Sequence, residues 1–99
     1  MLRPVFLIGS GQTPFGEHWD KSLRDLLEDA LNSSLEQAPC SALEIDMVVV
    51  ANMLGESTKA QANLGSLASS LLPHRPPSLR VEAACASGAL AVHLSLIHI

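Results

Sequence analysis

The chain has 99 residues, ten of them acidic and six basic, for a formal net charge of −4 at pH 7. That length allows one domain at most, and the acidic balance argues against a nucleic-acid or anionic-membrane binder. With 47% hydrophobic residues the chain is no disordered acidic tail, yet only 3% are aromatic, so a core must come from Leu, Val, Ile and Ala.

The first apolar run, Val5-Phe6-Leu7-Ile8, is apolar on both faces and reads as a strand inside a parallel sheet. It is too short for the roughly 7–15-residue core of a signal peptide. No window of the chain approaches the ~18 apolar residues of a membrane span. Gly9-Ser10-Gly11 ends this strand as a tight turn, because the third glycine of a dinucleotide-binding fingerprint is missing. Gln12-Thr13-Pro14-Phe15-Gly16 follows as a loop. Leu23, Leu26, Leu27, Ala30, Leu31, Leu35 and Ala38 then recur at spacings of three and four, the apolar stripe of an amphipathic helix. Ser22 is its expected N-cap, Asp25, Glu28 and Asp29 suit the positive end of its dipole, and Pro39 stops it.

After a connector over Cys40–Glu44, the β-branched run Met47-Val48-Val49-Val50-Ala51 predicts a second buried strand. Asn52–Ala60 reads as a loop. A second amphipathic helix carries Leu64, Leu67, Ala68, Leu71 and Leu72, with Ser57 or Thr58 as caps and Pro73, Pro76 and Pro77 as stops. Ser78–Ala84 supplies a third strand, with Leu79, Val81 and Ala83 alternating against Arg80 and Glu82, so that one face is wetter or the strand lies at an edge. From Ala86 to Ile97 the sequence predicts a helix apolar nearly all round, which calls for burial on every side and for more material than 99 residues supply. The alternation of strands and helices is an α/β pattern with a parallel sheet. Right-handed crossovers place consecutive strands side by side, the first two helices on one face and the last on the other.

Cys85 is the position that looks chemical. In Val81-Glu82-Ala83-Ala84-Cys85-Ala86-Ser87-Gly88-Ala89 it falls at a strand-to-helix junction. There the unpaired N–H groups and dipole of a helix N-terminus favour a thiolate and can stabilise an oxyanion. Gly88 and the small Ala84 and Ala86 leave room for close approach of a substrate or another loop. Spacing alone favours the other reading, a buried structural cysteine, over a nucleophile. Cys40 has no His or basic neighbour and reads as an inert thiol. Two cysteines 45 positions apart make neither a disulfide scaffold nor a zinc site. His18, His74, His93 and His98 do not gather at metal-ligand spacing, so no metal is expected. His93, eight residues beyond Cys85, lies about 12 Å along a helix and is too far to be its base. Free thiols without a secretory signal fit a reducing cytosol, and a cytoplasmic location is expected.

Three segments give the chain a family resemblance. Leu7 to Gly16, with its Thr13-Pro14-Phe15-Gly16 loop, is similar to the opening of thiolases. Asn63-Leu64-Gly65 falls where that family has its second helix, and Ala84-Cys85-Ala86-Ser87-Gly88 matches its nucleophile motif. Order and spacing agree over residues 4 to about 93, so the chain resembles the N-terminal part of a thiolase. The resemblance implies a thiolase-like α/β fold, three parallel strands in the order 3-2-1 alternating with three helices, as the incomplete N-terminal half of a larger layered fold. It implies an acyltransferase in which Cys85 accepts the acyl group of a coenzyme A thioester, with its own backbone N–H in an oxyanion hole. Coenzyme A enters as a thioester substrate, and no cofactor is implied. A homodimer or tetramer is implied too, with the edge strand Ser78–Ala84 at the interface.

Gln12, where many members carry arginine, and Ala89, in place of a common second glycine, suggest a divergent branch nearer the sterol-carrier-type thiolases. The family's catalytic histidines, second cysteine and coenzyme A loop domain have no counterpart in these 99 residues. Residues 94–99 are therefore expected to be a truncated or non-native end, and the 99 residues are expected to be inactive alone. The competing readings are a β-ketoacyl synthase of the same fold and a non-catalytic lipid-transfer or scaffold subunit. The Ala-Ser-Gly after Cys85 and the Thr-Pro-Phe-Gly loop favour the thiolase over the synthase.

Overall fold

A computed structural model describes residues 3–54 and 63–97 of the chain. The residues fall into two compact units, one up to Glu44 and the other from Ile45.

In the first unit the amphipathic stripe forms a 15-residue helix, α1 (Leu23–Gln37). Its start is fixed by the expected residue. Ser22 Oγ accepts from the Asp25 N–H at 3.1 Å, and the Asp25 carboxylate accepts from the Ser22 N–H at 2.9 Å. Together these bonds satisfy two groups that a helix N-terminus otherwise leaves to water. The Ser22 N–H, and then its hydroxyl, hold the Asp25 carboxyl below the ordinary carboxylate value. Lys21 pairs with Asp29 on the surface, and this hydrogen bond raises the pKa of the ammonium group. Ala38 caps the C-terminal end just before Pro39, and Ala42–Glu44 adds one turn of 3-10 helix.

The first expected strand does not form. Val5–Ile8 has no regular structure, and all four side chains are exposed, Leu7 to 90%. A strand apolar on both faces needs an edge partner and cover on each side, and no described segment pairs with this one. Nor is Gly9-Ser10-Gly11 a tight turn. It runs against α1 so closely that a Cβ on Gly11 would stand 2.5 Å from Ala30 O and 2.6 Å from Ser34 N. Glycine is used there for approach, not for turning.

The second unit holds the sheet and the core. Strands β1 (Val48–Ala51) and β2 (Ser78–Val81) pair in parallel, with Val48 opposite Ser78 and Ala51 opposite Val81. They are the second and third expected strands, trimmed at their ends, so that adjacent pairing is observed while the first takes no part. All four residues of β2 are half-buried, without the alternation its sequence suggested.

Between the strands lies α2 (Leu64–Ser69), only six residues long. Asn63 takes its N-cap position; Ser57 and Thr58 lie outside the described residues. Its stripe nevertheless makes the core: Leu64 is 1% exposed, Leu72 2%, and Ala68 is buried with them. Gly65 brings α2 down onto β2, since a Cβ there would come within 3.1 Å of the Leu79 carbonyl carbon. Buried Ser69 donates from Oγ to Pro76 O at 2.6 Å, tying the helix to the proline-rich entry of β2.

The last helix, α3 (Ser87–Ile97), packs against β1 and, less extensively, against β2. It is not enclosed as its sequence demands. Ser87 is its one buried residue, while Val92 is 61% exposed and Leu96 and Ile97 are exposed as well. A two-stranded sheet can cover one side of a helix and no more. The described fold is thus α/β, with three helices and a small parallel sheet. Among the described residues no helix is long and apolar enough to cross a membrane.

Candidate active site

Because β1 and β2 run parallel, their carboxyl ends share one edge of the sheet, where open α/β sheets bind ligands. Arg80 braces that edge from within β2 by donating from Nη2 to Asn52 O at 3.0 Å, just past the end of β1. Beyond Val81 the chain turns through residues 82–86 into α3, and Cys85 lies in this elbow, two residues before the first helical residue.

The elbow is strained. Ala84 has φ +48, the left-handed region, which costs a residue with a Cβ about 1–2 kcal/mol. Hydrogen bonds on both sides hold it there. Ser87, 6% exposed, accepts from the Ala83 N–H at 2.9 Å and donates to Ala84 O at 2.7 Å through the same hydroxyl. The Glu82 carboxylate accepts from the Ala84 N–H. At about 1 kcal/mol net for each such bond, the set is large enough to offset the strain. The Ala86 N–H donates to Ala83 O at 2.9 Å and the Ser87 N–H to Ala84 O at 3.2 Å, closing the turn into α3.

Two features of the elbow bear on chemistry. Cys85 is exposed and is a free thiol. It stands just before the N-terminus of α3, where the first-turn amides have no carbonyl within the helix to bond. Gly88, three residues on, is exposed as well, and a Cβ on it would meet nothing within 4 Å.

The other candidates are placed as follows. Cys40, half-buried, belongs to the first unit. There His18 Nε2 donates to Pro14 O at 2.7 Å. In the second unit His74 Nε2 donates to Ile45 O, also at 2.7 Å, a structural tie below β1. His93 sits well along α3, and His98 lies outside the described residues. Among the described residues no three His, Cys, Asp or Glu side chains gather as a metal site would require. The bonds of Ser87 and Glu82 escaped the sequence reading. The one available signal was a small polar residue at the first position of a helix, where a hydroxyl can turn back onto the preceding backbone.

Comparison with known proteins gives this elbow a context. The chain is 39% identical over 99 residues to an acetyl-CoA acetyltransferase of Methanocaldococcus jannaschii, covering 99% of this chain and 25% of that protein. It is 39% identical over 97 residues to an acetyl-CoA acetyltransferase of Methanothermobacter thermautotrophicus, covering 97% of this chain and again 25% of the relative. The chain therefore spans about a quarter of the length of the curated relatives it matches. Residues 5–99 match the family model described as thiolase, N-terminal domain, and over nearly its whole length the chain belongs to the thiolase family.

Proposed function

We propose that the chain supplies the nucleophile of a thiolase-type acyltransferase acting on coenzyme A thioesters. The observation that carries this reading is the elbow: an exposed Cys85 just before the N-terminus of α3, in a chain that belongs to the thiolase family. The two relatives named as acetyl-CoA acetyltransferases support the substrate class.

The chemistry follows from the residue types. The Cys85 thiolate attacks the thioester carbonyl, and the new S–C bond pushes the carbonyl electrons onto oxygen. Backbone N–H groups, that of Cys85 first, stabilise this oxyanion. Its collapse expels the coenzyme A thiolate, which takes up the proton lost by Cys85, and the acyl group stays on Cys85 as a thioester. Transfer of that group to a second thiol or acyl-CoA completes the cycle and needs a base within hydrogen-bond reach. None of the described histidines stands in the elbow, so the base belongs elsewhere in the whole protein.

Two further points belong to this reading. In the whole protein Val5–Ile8 joins the sheet beside β1, giving the order 3-2-1; its four exposed apolar side chains support this, since pairing and cover would bury them. The free edge of β2, in a sheet that has two strands among the described residues, supports pairing across a dimer.

The test is labelling. The whole protein, incubated with radiolabelled acetyl-CoA and digested, is expected to carry the label on the Cys85 peptide. Label retained by Cys85→Ala refutes the assignment, and a wild-type protein that takes no label favours a non-catalytic member of the family.

A further inference from the structure

The buried hydroxyl of Ser87 has no part in the acyl-transfer chemistry above, yet it makes two hydrogen bonds at the entry to α3. It receives the Ala83 N–H at 2.9 Å and gives its proton to Ala84 O at 2.7 Å, so one oxygen bridges the two residues that lead into Cys85. Between those bonds lies Ala84 at φ +48, a conformation that alanine leaves unless it is held. Glu82 takes the Ala84 N–H from the other side. Ser87 is 6% exposed, and Glu82 is exposed. The inner half of this clamp is therefore shielded from competing water, and the outer half is open to it.

We propose that Ser87 is a positioning residue for Cys85. It locks Ala84 in the left-handed conformation and so fixes the direction in which the thiol and the Cys85 N–H leave the elbow, with Glu82 as the weaker, solvent-facing half of the lock. This rests on the reading of Cys85 as the acyl acceptor. Attack on a thioester needs sulfur, carbonyl carbon and oxyanion donor aligned together, whereas reaction with a small alkylating agent needs only an accessible thiol. Loss of the lock therefore separates the two reactions.

The experiment compares wild-type protein, Ser87→Ala, Ser87→Thr and Glu82→Met as whole proteins. It measures acylation of Cys85 by acetyl-CoA, the KM for acetyl-CoA, and alkylation of Cys85 by iodoacetamide, each read on the Cys85 peptide. Ser87→Ala is expected to acylate about tenfold or more slowly, with KM and alkylation close to wild type. Ser87→Thr, which keeps the hydroxyl, recovers most of the lost rate, and Glu82→Met shows a smaller loss of the same kind.

Equal acylation rates in wild type and Ser87→Ala overturn the positioning role alone. A Ser87→Ala protein whose alkylation falls in parallel with its acylation overturns it as well, since the residue would then act on exposure or folding. Should Ser87→Ala fail to fold, the exposed Glu82→Met decides, and unchanged acylation there overturns the lock. Absence of any acyl label on wild-type Cys85 overturns the nucleophile reading and the positioning role together.

Discussion

Residues 3–44 and residues 45–97 begin from similar material, an apolar run and a helix with an apolar stripe, and come to different ends. The first unit makes the better helix by local standards. Its α1 has 15 residues, a complete capping box and a proline stop, yet it buries no residue fully, and the run Val5–Ile8 stays unpaired and exposed. The second unit makes a helix of only six residues, but Leu64, Gly65, Ala68 and Ser69 are all buried in it. The difference lies in the partner surface. β1 and β2 meet across a gap of 26 residues in sequence and give α2 a surface to cover. Caps and periodicity suffice to wind a helix, but burial requires a second element, and in the first unit none is at hand among the described residues.

The largest expected effect sets one unit's cysteine against the other's. Cys85→Ala lowers acyl transfer by the whole protein about a thousandfold or more, while Cys40→Ala leaves kcat/KM unchanged. A loss of activity at Cys40 would break the assignment of the chemistry to the second unit. Stability gives the next contrast, read by chemical denaturation. Leu64→Ala is expected to cost about 2–5 kcal/mol, because it opens a cavity in the core. Leu27→Ala, on the half-buried stripe of α1, costs about 1 kcal/mol. Equal costs would mean that α1 is as well buried as α2 in the whole protein, through elements beyond those described.

The smaller effects concern α1 itself. Ser22→Ala removes the capping hydroxyl and is expected to cost about 1 kcal/mol, seen as faster amide exchange in the first turn. The pH dependence has a definite sign. The Asp25 carboxyl is held below its ordinary value near 3.8 by the Ser22 N–H. Its contribution is therefore complete above that ordinary value and is lost as pH falls through the lower, folded value. An NMR titration of the Asp25 side chain should show the depressed midpoint, and Ser22→Ala should move it part of the way back. A midpoint at the ordinary value would contradict the capping box.

How much was legible depended on distance along the chain. The Ser22 cap, the Pro39 stop and the Leu64–Ala68–Leu72 core stripe were readable because each rests on residues within a few turns of one another. So was the position of Cys85 at a strand-to-helix junction. Val5–Ile8 has the same apolar pattern as Val48–Ala51 yet pairs with no described segment, because pattern does not reveal whether a partner edge is at hand. The all-round apolar α3 was expected to be enclosed, yet it leaves Val92, Leu96 and Ile97 in solvent, since hydrophobicity states a demand for burial and not its supply.

By itself, then, the sequence determined the helices with local signals, the α/β class and the residue at which to look for chemistry. Only the tertiary structure decided which apolar runs pair, and that Ala84 takes a left-handed turn between Ser87 and Glu82. The physical reason is one of range. A helix closes its hydrogen bonds within four residues, whereas a strand, a core and a strained elbow are held by groups that the fold brings together.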